Sequence, residues 1–122
     1  MRRLALALMA AAALDAAACG GCVDDKIASC YDHAVVSAAQ QRGHAVAFFA
    51  IEGDVVRSAQ TRRAVLRAIE ATPGVRRGSA RVSLENAALS FAYDPARVSP
   101  QQAGEAIAGA LRLRLKLLRL LG

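Results

Sequence analysis

Three cysteines are the residues of this chain best suited to chemistry, and two of them form Cys-Gly-Gly-Cys at Cys19 and Cys22. The pair directly precedes a helical pattern. Thiols at a helix N-terminus have lowered pKa values, because the helix dipole and the free backbone N–H groups stabilise thiolates. Two intervening glycines let both sulfurs reach one ion. Cys19 and Cys22 are therefore candidate ligands of a soft metal ion, and a disulfide between them is the competing interpretation.

Cys30 and His33 are a second candidate pair, because residues three apart in a helix lie on one face. On a regular helix Cys22 lies roughly 12 Å from Cys30, so one ion cannot bind both. The alternative is that Cys30 is a core residue and His33 a surface or packed one. No nucleophile–base arrangement, phosphate loop or paired-carboxylate site is recognisable, so we expect the protein not to be an enzyme.

The first 18 residues have the pattern of a signal peptide. Arg2 and Arg3 precede an apolar stretch over residues 4–14, which is shorter than the about 20 residues that span a bilayer, and three alanines follow at 16–18. We therefore expect export to the periplasm or envelope. Ala-Ala-Ala-Cys also resembles a bacterial lipoprotein box. A lipid on Cys19 would be the expected membrane contact, and it would remove that thiol as a ligand.

The formal net charge is +6, and the excess lies largely at the C-terminus. Arg112, Arg114, Lys116 and Arg119 fall within the last 11 residues. Aromatic residues are scarce and no nucleic-acid-binding motif is present, so we expect no nucleic-acid partner. The partners that we consider for such an exported domain are a metal ion and another protein of the envelope.

Hydrophobic spacing predicts a helix at about 23–41 and then six further elements. Ser99-Pro100-Gln101-Gln102 carries the signature of a capping box at the start of the helix at 100–111. Pro73-Gly74 ends the helix at 59–72. The C-terminal segment either forms a last strand or extends the last helix, and we favour the strand. The six elements are a strand at 44–52, a helix at 59–72, a hairpin formed by 80–86 and 88–94, a helix at 100–111 and a final strand.

This order is the ferredoxin-like βαββαβ plan, an α+β fold with two helices on one face of an antiparallel sheet. The predicted organisation is a signal peptide at 1–18, the Cys-x-x-Cys segment with an added helix at 19–43, and the βαββαβ domain at 44–122. The first strand is apolar on both faces. We therefore predict that the added helix covers the sheet face that such domains leave open.

A set of residues between Phe48 and a point beyond Ile107 occurs in a specific order and spacing. These positions are Ile51, Gly53, Val65, Ala68, Ile69, Gly74-Val75, Val82-Ser83-Leu84, Tyr93-Asp94-Pro95, Val98-Ser99-Pro100 and Ala106-Ile107. In this pattern the segment resembles the heavy-metal-associated domain family. The resemblance implies a ferredoxin-like fold and binding of Cu(I), Hg(II) or a similar soft cation by two thiolates on the loop after the first strand.

The family's two loop thiols are missing from this chain. Alignment on Gly74-Val75 puts Ser58 and Thr61 at their positions and Asp54 at that of the family's methionine, in a loop about two residues longer. Hydroxyl groups are hard donors and do not replace thiolates. Two hypotheses follow: metal binding has moved to Cys19 and Cys22, or with less support to Cys30 and His33; or the domain has lost the metal and serves as an envelope interaction module or lipoprotein.

Overall fold

A computed structural model of the protein describes residues 23–122. The predicted signal peptide, Cys19 and Cys22 lie outside the described residues. Within 23–122, no helix has the length and apolarity needed to span a membrane. The elements are α1 (residues 23–30), α2 (His33–Gln41), β1 (Ala45–Glu52), α3 (Ala59–Glu70), β2 (Arg81–Ser83), β3 (Ala88–Tyr93), α4 (Pro100–Leu111) and β4 (Arg114–Leu121).

The four strands form one antiparallel sheet in the order β2-β3-β1-β4, which is the ferredoxin-like arrangement predicted from the sequence. β1 lies between β3 and β4, and the C-terminal segment is a strand, as predicted. The β2–β3 hairpin and α4 also confirm the prediction. The capping box of α4 is complete, because Ser99 and Gln102 each accept a hydrogen bond from the other's backbone N–H.

The predicted single helix over 23–41 is wrong in one respect: it is two helices that meet at Tyr31 and Asp32. Asp32 has an extended backbone and its side chain accepts a hydrogen bond from the Ala34 N–H at 2.9 Å, which makes it the N-cap of α2. The carboxylate also receives the Arg81 guanidinium at 2.9 Å. A capping aspartate inside an apolar period thus ends one helix and starts the next.

Two apolar clusters lie on opposite faces of the sheet, as the composition of β1 predicts. Ala47, Phe49 and Ile51 point toward α3 and α4, where they meet Ile69 and Ile107. Val46 and Phe48 point the other way, into a cluster with Ile27 and Cys30 from α1 and Val36 and Ala39 from α2. The added helices therefore cover the face opposite α3 and α4, which confirms the predicted packing and leaves β1 buried on both faces.

Candidate functional site

The loop between β1 and α3 is the place at which the resemblance puts a metal site. In this chain it ends in a helix cap. Ser58 is the N-cap of α3, and its Oγ accepts a hydrogen bond from the Thr61 N–H at 3.1 Å and donates one to Thr61 Oγ1 at 3.0 Å. The two side chains that stand where thiols would be expected are adjacent. They are hard oxygen donors already engaged in capping, so the residues of this loop do not fit a soft metal ion.

A cleft of about 390 Å³ opens beside this cap. It lies between the end of α1, the start of α3 and the turn that follows β2, and its polar lining includes Ser29, Arg57, Ser58, Arg62 and Glu85. The Arg62 guanidinium donates to the Val82 carbonyl at 2.6 Å, which ties α3 to β2. The cleft therefore has a partly basic wall supplied by the segment that holds the metal in the resembled family.

The beginning of α1 lies at the same end of the sheet. Asp25 and Lys26 share a second hollow of about 300 Å³ with Arg57 and Glu85, the two residues that also line the first cleft. The Lys26 ammonium donates to the Asn86 carbonyl at 2.5 Å and approaches the Ala87 carbonyl at 3.4 Å. These contacts fix the first turns of α1 against the β2–β3 turn and beside the β1–α3 loop. The described residues therefore begin at this end of the sheet.

Cys30, a predicted ligand, is a core residue at the end of α1. Its side chain is only 3% exposed, and it belongs to the apolar cluster of Phe48 and Val36. Burial raises the pKa of the thiol, although the Ser29 hydroxyl at 3.7 Å, the Ser83 backbone and the Arg62 charge act in the opposite direction. The Cys30 carbonyl accepts a hydrogen bond from Ser90 Oγ at 2.9 Å, which holds the helix end on β3.

His33, the other member of this predicted pair, lies on a different helix. It opens α2, is exposed, and has the Tyr31 hydroxyl 3.4 Å from its Nδ1. The expectation that one helix places Cys30 and His33 on a shared face is wrong, because the break at Asp32 separates them into a buried thiol and an exposed ring. Across residues 23–122, no three or more His, Cys, Asp or Glu side chains are grouped so as to hold a metal ion.

Three basic residues at this end, Lys26, Arg57 and Arg62, were not anticipated from the sequence as parts of a site. They come from α1, the β1–α3 loop and α3, and only the fold brings them together. The available signal was the helix start at Ser58, flanked by arginines on both sides. The sequence does not show that α1 packs against the β2–β3 turn, and this packing brings Lys26 close to Arg57.

The described domain has the fold of heavy-metal-associated domains. It is similar to a copper-binding domain from HMA7, a P-type ATPase, with a TM-score of 0.54 and 21% identity over 62% of this chain and 96% of that one. It is also similar to oxidised MerP from Ralstonia metallidurans CH34, with a TM-score of 0.53 and 20% identity over 62% of this chain and 99% of that one. At these identities the similarity establishes the fold. No protein-family model and no curated protein matches the chain.

Proposed function

We propose that the protein binds a soft metal ion, of the Cu(I) or Hg(II) type, through Cys22 together with Cys19. The observation that carries the proposal is the position of α1: its first turns lie beside the β1–α3 loop, the segment that binds metal in the resembled family. Cys19 and Cys22 precede α1 in the sequence, so we propose that their thiols replace the missing loop ligands at this end of the domain.

Lys26 and Arg57 supply positive charge to the hollow beside α1, and Asp25 and Glu85 supply an equal negative charge. Cu(I) bound by two thiolates carries a net negative charge, which the Lys26 ammonium and the Arg57 guanidinium would stabilise. Thiolate sulfur also matches the softness of Cu(I), whereas the hydroxyls of Ser58 and Thr61 do not. A copper-binding domain with this fold and the soft cations implied by the family resemblance support the class of metal; the thiols of this chain supply the ligands.

The proposal includes export to the periplasm or envelope by the segment at residues 1–18, and a binding rather than an enzymatic role. Nucleic acid is not a proposed partner. In the exported form the metal ion is cargo, received from or passed to a protein of the envelope. Cys30 and His33 take no part in this site, because one is buried in the core and the other is exposed on a separate helix.

The alternative is a metal-free domain retained as an envelope interaction module, anchored by a lipid on Cys19. The hydrogen-bonded Ser58–Thr61 cap favours it, since that loop has become an ordinary helix start. A lipid thioether on Cys19 leaves Cys22 without its partner thiol. Mass spectrometry of the protein purified from a bacterial envelope separates the two functions. Cleavage before Cys19 with a free thiol supports metal binding, and a diacylglycerol-modified Cys19 supports the anchored module.

Anaerobic titration of the reduced, processed protein with Cu(I) in competition with a chromogenic chelator tests the metal proposal. We expect one ion per chain, and loss of that binding in Cys22→Ser. Cys30→Ala and Ser58→Ala are matched controls and should retain it, because neither residue belongs to the proposed site. Unchanged Cu(I) binding in Cys22→Ser would disprove the relocated site. Loss of binding in Cys30→Ala, with the fold intact by circular dichroism, would place the thiol site elsewhere.

A further inference from the structure

The outer edge of β4 is the longest unpaired strand edge of the described sheet. β4 has 8 residues and pairs with β1 on one side only, whereas β2, at the opposite edge, has 3. Backbone N–H and C=O groups on such an edge are free to pair with another strand. The two faces beside this edge differ sharply in chemistry, and that difference specifies what kind of strand would fit.

One face beside the edge is basic. Arg114 and Lys116 lie opposite Glu52 and Ala50 of β1, and Arg119 lies opposite Phe48. All three basic side chains are exposed. A bulge at Leu118 lets Arg119 point to the same side as Lys116 although the two residues are three apart. The result is a row of three positive charges along β4, with Glu52 at one end as its acidic neighbour across the strands.

The other face beside the edge is an apolar groove of about 200 Å³ between β4 and α4. Its apolar wall is formed by Phe49, Gly104, Ala108, Leu115 and Leu117. Gly104 lets α4 approach the sheet, because a Cβ there would lie 2.8 Å from the Phe49 ring. Leu120 lies on the same side of β4, opposite Ala47, and is 46% exposed. Glu105 also lines the groove and disfavours an acidic side chain inside it.

We propose that the β4 edge docks an extended segment of a partner protein in which acidic and apolar residues alternate. In a strand paired to β4, alternate side chains point to opposite faces. One set then meets the row Arg114, Lys116 and Arg119, and the other enters the groove at Leu115 and Leu117. A second copy of this chain does not meet the requirement, because two β4 edges would bring their basic rows together and like charges on paired strands repel.

The test uses a capped peptide of the length of β4 that alternates glutamate with valine, labelled for fluorescence anisotropy. We expect saturable binding, with slower amide exchange in β4 and no change in β2. Lys116→Glu with Arg119→Glu should weaken binding by about tenfold, because two favourable cross-strand charge pairs become repulsive. Ala108→Leu should also weaken it by filling the groove. Arg63→Glu with Arg77→Glu, which changes the net charge equally at exposed sites away from β4, should leave binding within about twofold.

Several outcomes overturn the proposal. The first is no binding of the peptide, or binding that the two double variants weaken equally. The second is a dimer in sedimentation analysis that Lys116→Glu with Arg119→Glu dissociates, since the edge would then pair with its own copy. The third is binding to vesicles of phosphatidylcholine and phosphatidylglycerol without binding to the peptide, which would make the basic row a lipid-binding surface. The measurements use protein with Cys22→Ser, so the result is independent of metal binding.

Discussion

Restoring two thiols at the α3 cap is the sharpest test of how this chain relates to metal-binding domains of the same fold. The change is Ser58→Cys with Thr61→Cys, in a protein carrying Cys19→Ser, Cys22→Ser and Cys30→Ala. The structure places the two side-chain oxygens 3.0 Å apart at the first turn of α3. Two metal–thiolate bonds of about 2.3 Å span roughly 4.6 Å when they are collinear, a separation that small rotations of two side chains supply.

The expected change in Tm follows from two opposing effects. Removing the Ser58 cap costs about 1 kcal/mol, which lowers the Tm of a domain of this size by about 4–8 °C. Binding to the folded state at a free metal concentration 100 times the Kd stabilises it by about 2.7 kcal/mol. The Cu(I)-loaded double variant should therefore melt about 10–20 °C above its own metal-free form, and above the parent as well.

The assay is thermal unfolding followed by circular dichroism, with and without Cu(I) under anaerobic conditions. Each single cysteine variant is the matched control and should gain far less from the metal. The affinity for Cu(I) should stay below that of a family member with its own two loop cysteines, because Asp54 is exposed and the longer loop does not hold the first thiol in place. A double variant that folds but shows no metal-dependent stabilisation would refute the placement of Ser58 and Thr61 at the ligand positions.

Three further predictions concern the rest of the domain. Cys30 should resist iodoacetamide in the folded protein and react only on unfolding, because burial keeps the thiol protonated and inaccessible; alkylation followed by mass spectrometry measures this. The Arg81 guanidinium lowers the pKa of Asp32, so the ion pair contributes stability above the ordinary aspartate pKa and loses it as pH falls through the lower folded value. Acid titrations should show a smaller loss of stability below about pH 4 in Asp32→Asn than in the parent. Gly74→Ala should destabilise by about 2–4 kcal/mol in urea, because Gly74 has φ of +88° and a Cβ would lie 2.5 Å from Val98 Cγ1; Val98→Ala should recover part of that loss.

The sheet and its cover were predictable because β1 carries the information in its own residues. Ala45 to Ile51 are apolar without alternation, which requires packing on both faces, and the preceding segment has the amphipathic spacing to supply it. The capping box at Ser99 and the period of two in β2 and β3 are equally local signals. In each of these cases a few adjacent residues determine the element, and its tertiary contacts agree with that local preference.

The break between α1 and α2 and the cleft at Arg57 were not predictable in the same way. Asp32 interrupts a helical apolar period that continues on both sides, and its capping role is supported by Arg81, which is 49 residues away. The cleft is assembled from α1, the start of α3 and the turn after β2. Features that depend on several separate segments leave no pattern in any one of them. The thiol pair at Cys19 and Cys22 is the opposite case, since it is plain in the sequence and lies outside the described residues.

The pairing of β1 with β4 has a consequence for the order of events during synthesis. β1 is central, yet one of its two neighbours is the final strand, which ends at Leu121. The sheet therefore stays incomplete while Leu121 is still inside the ribosomal exit tunnel. Until then, the edge of β1 that pairs with β4 has no hydrogen-bonding partner. A fold dominated by such distant pairings also forms slowly. β1 can therefore gain its second neighbour only after α3, the β2–β3 hairpin and α4 have been synthesised.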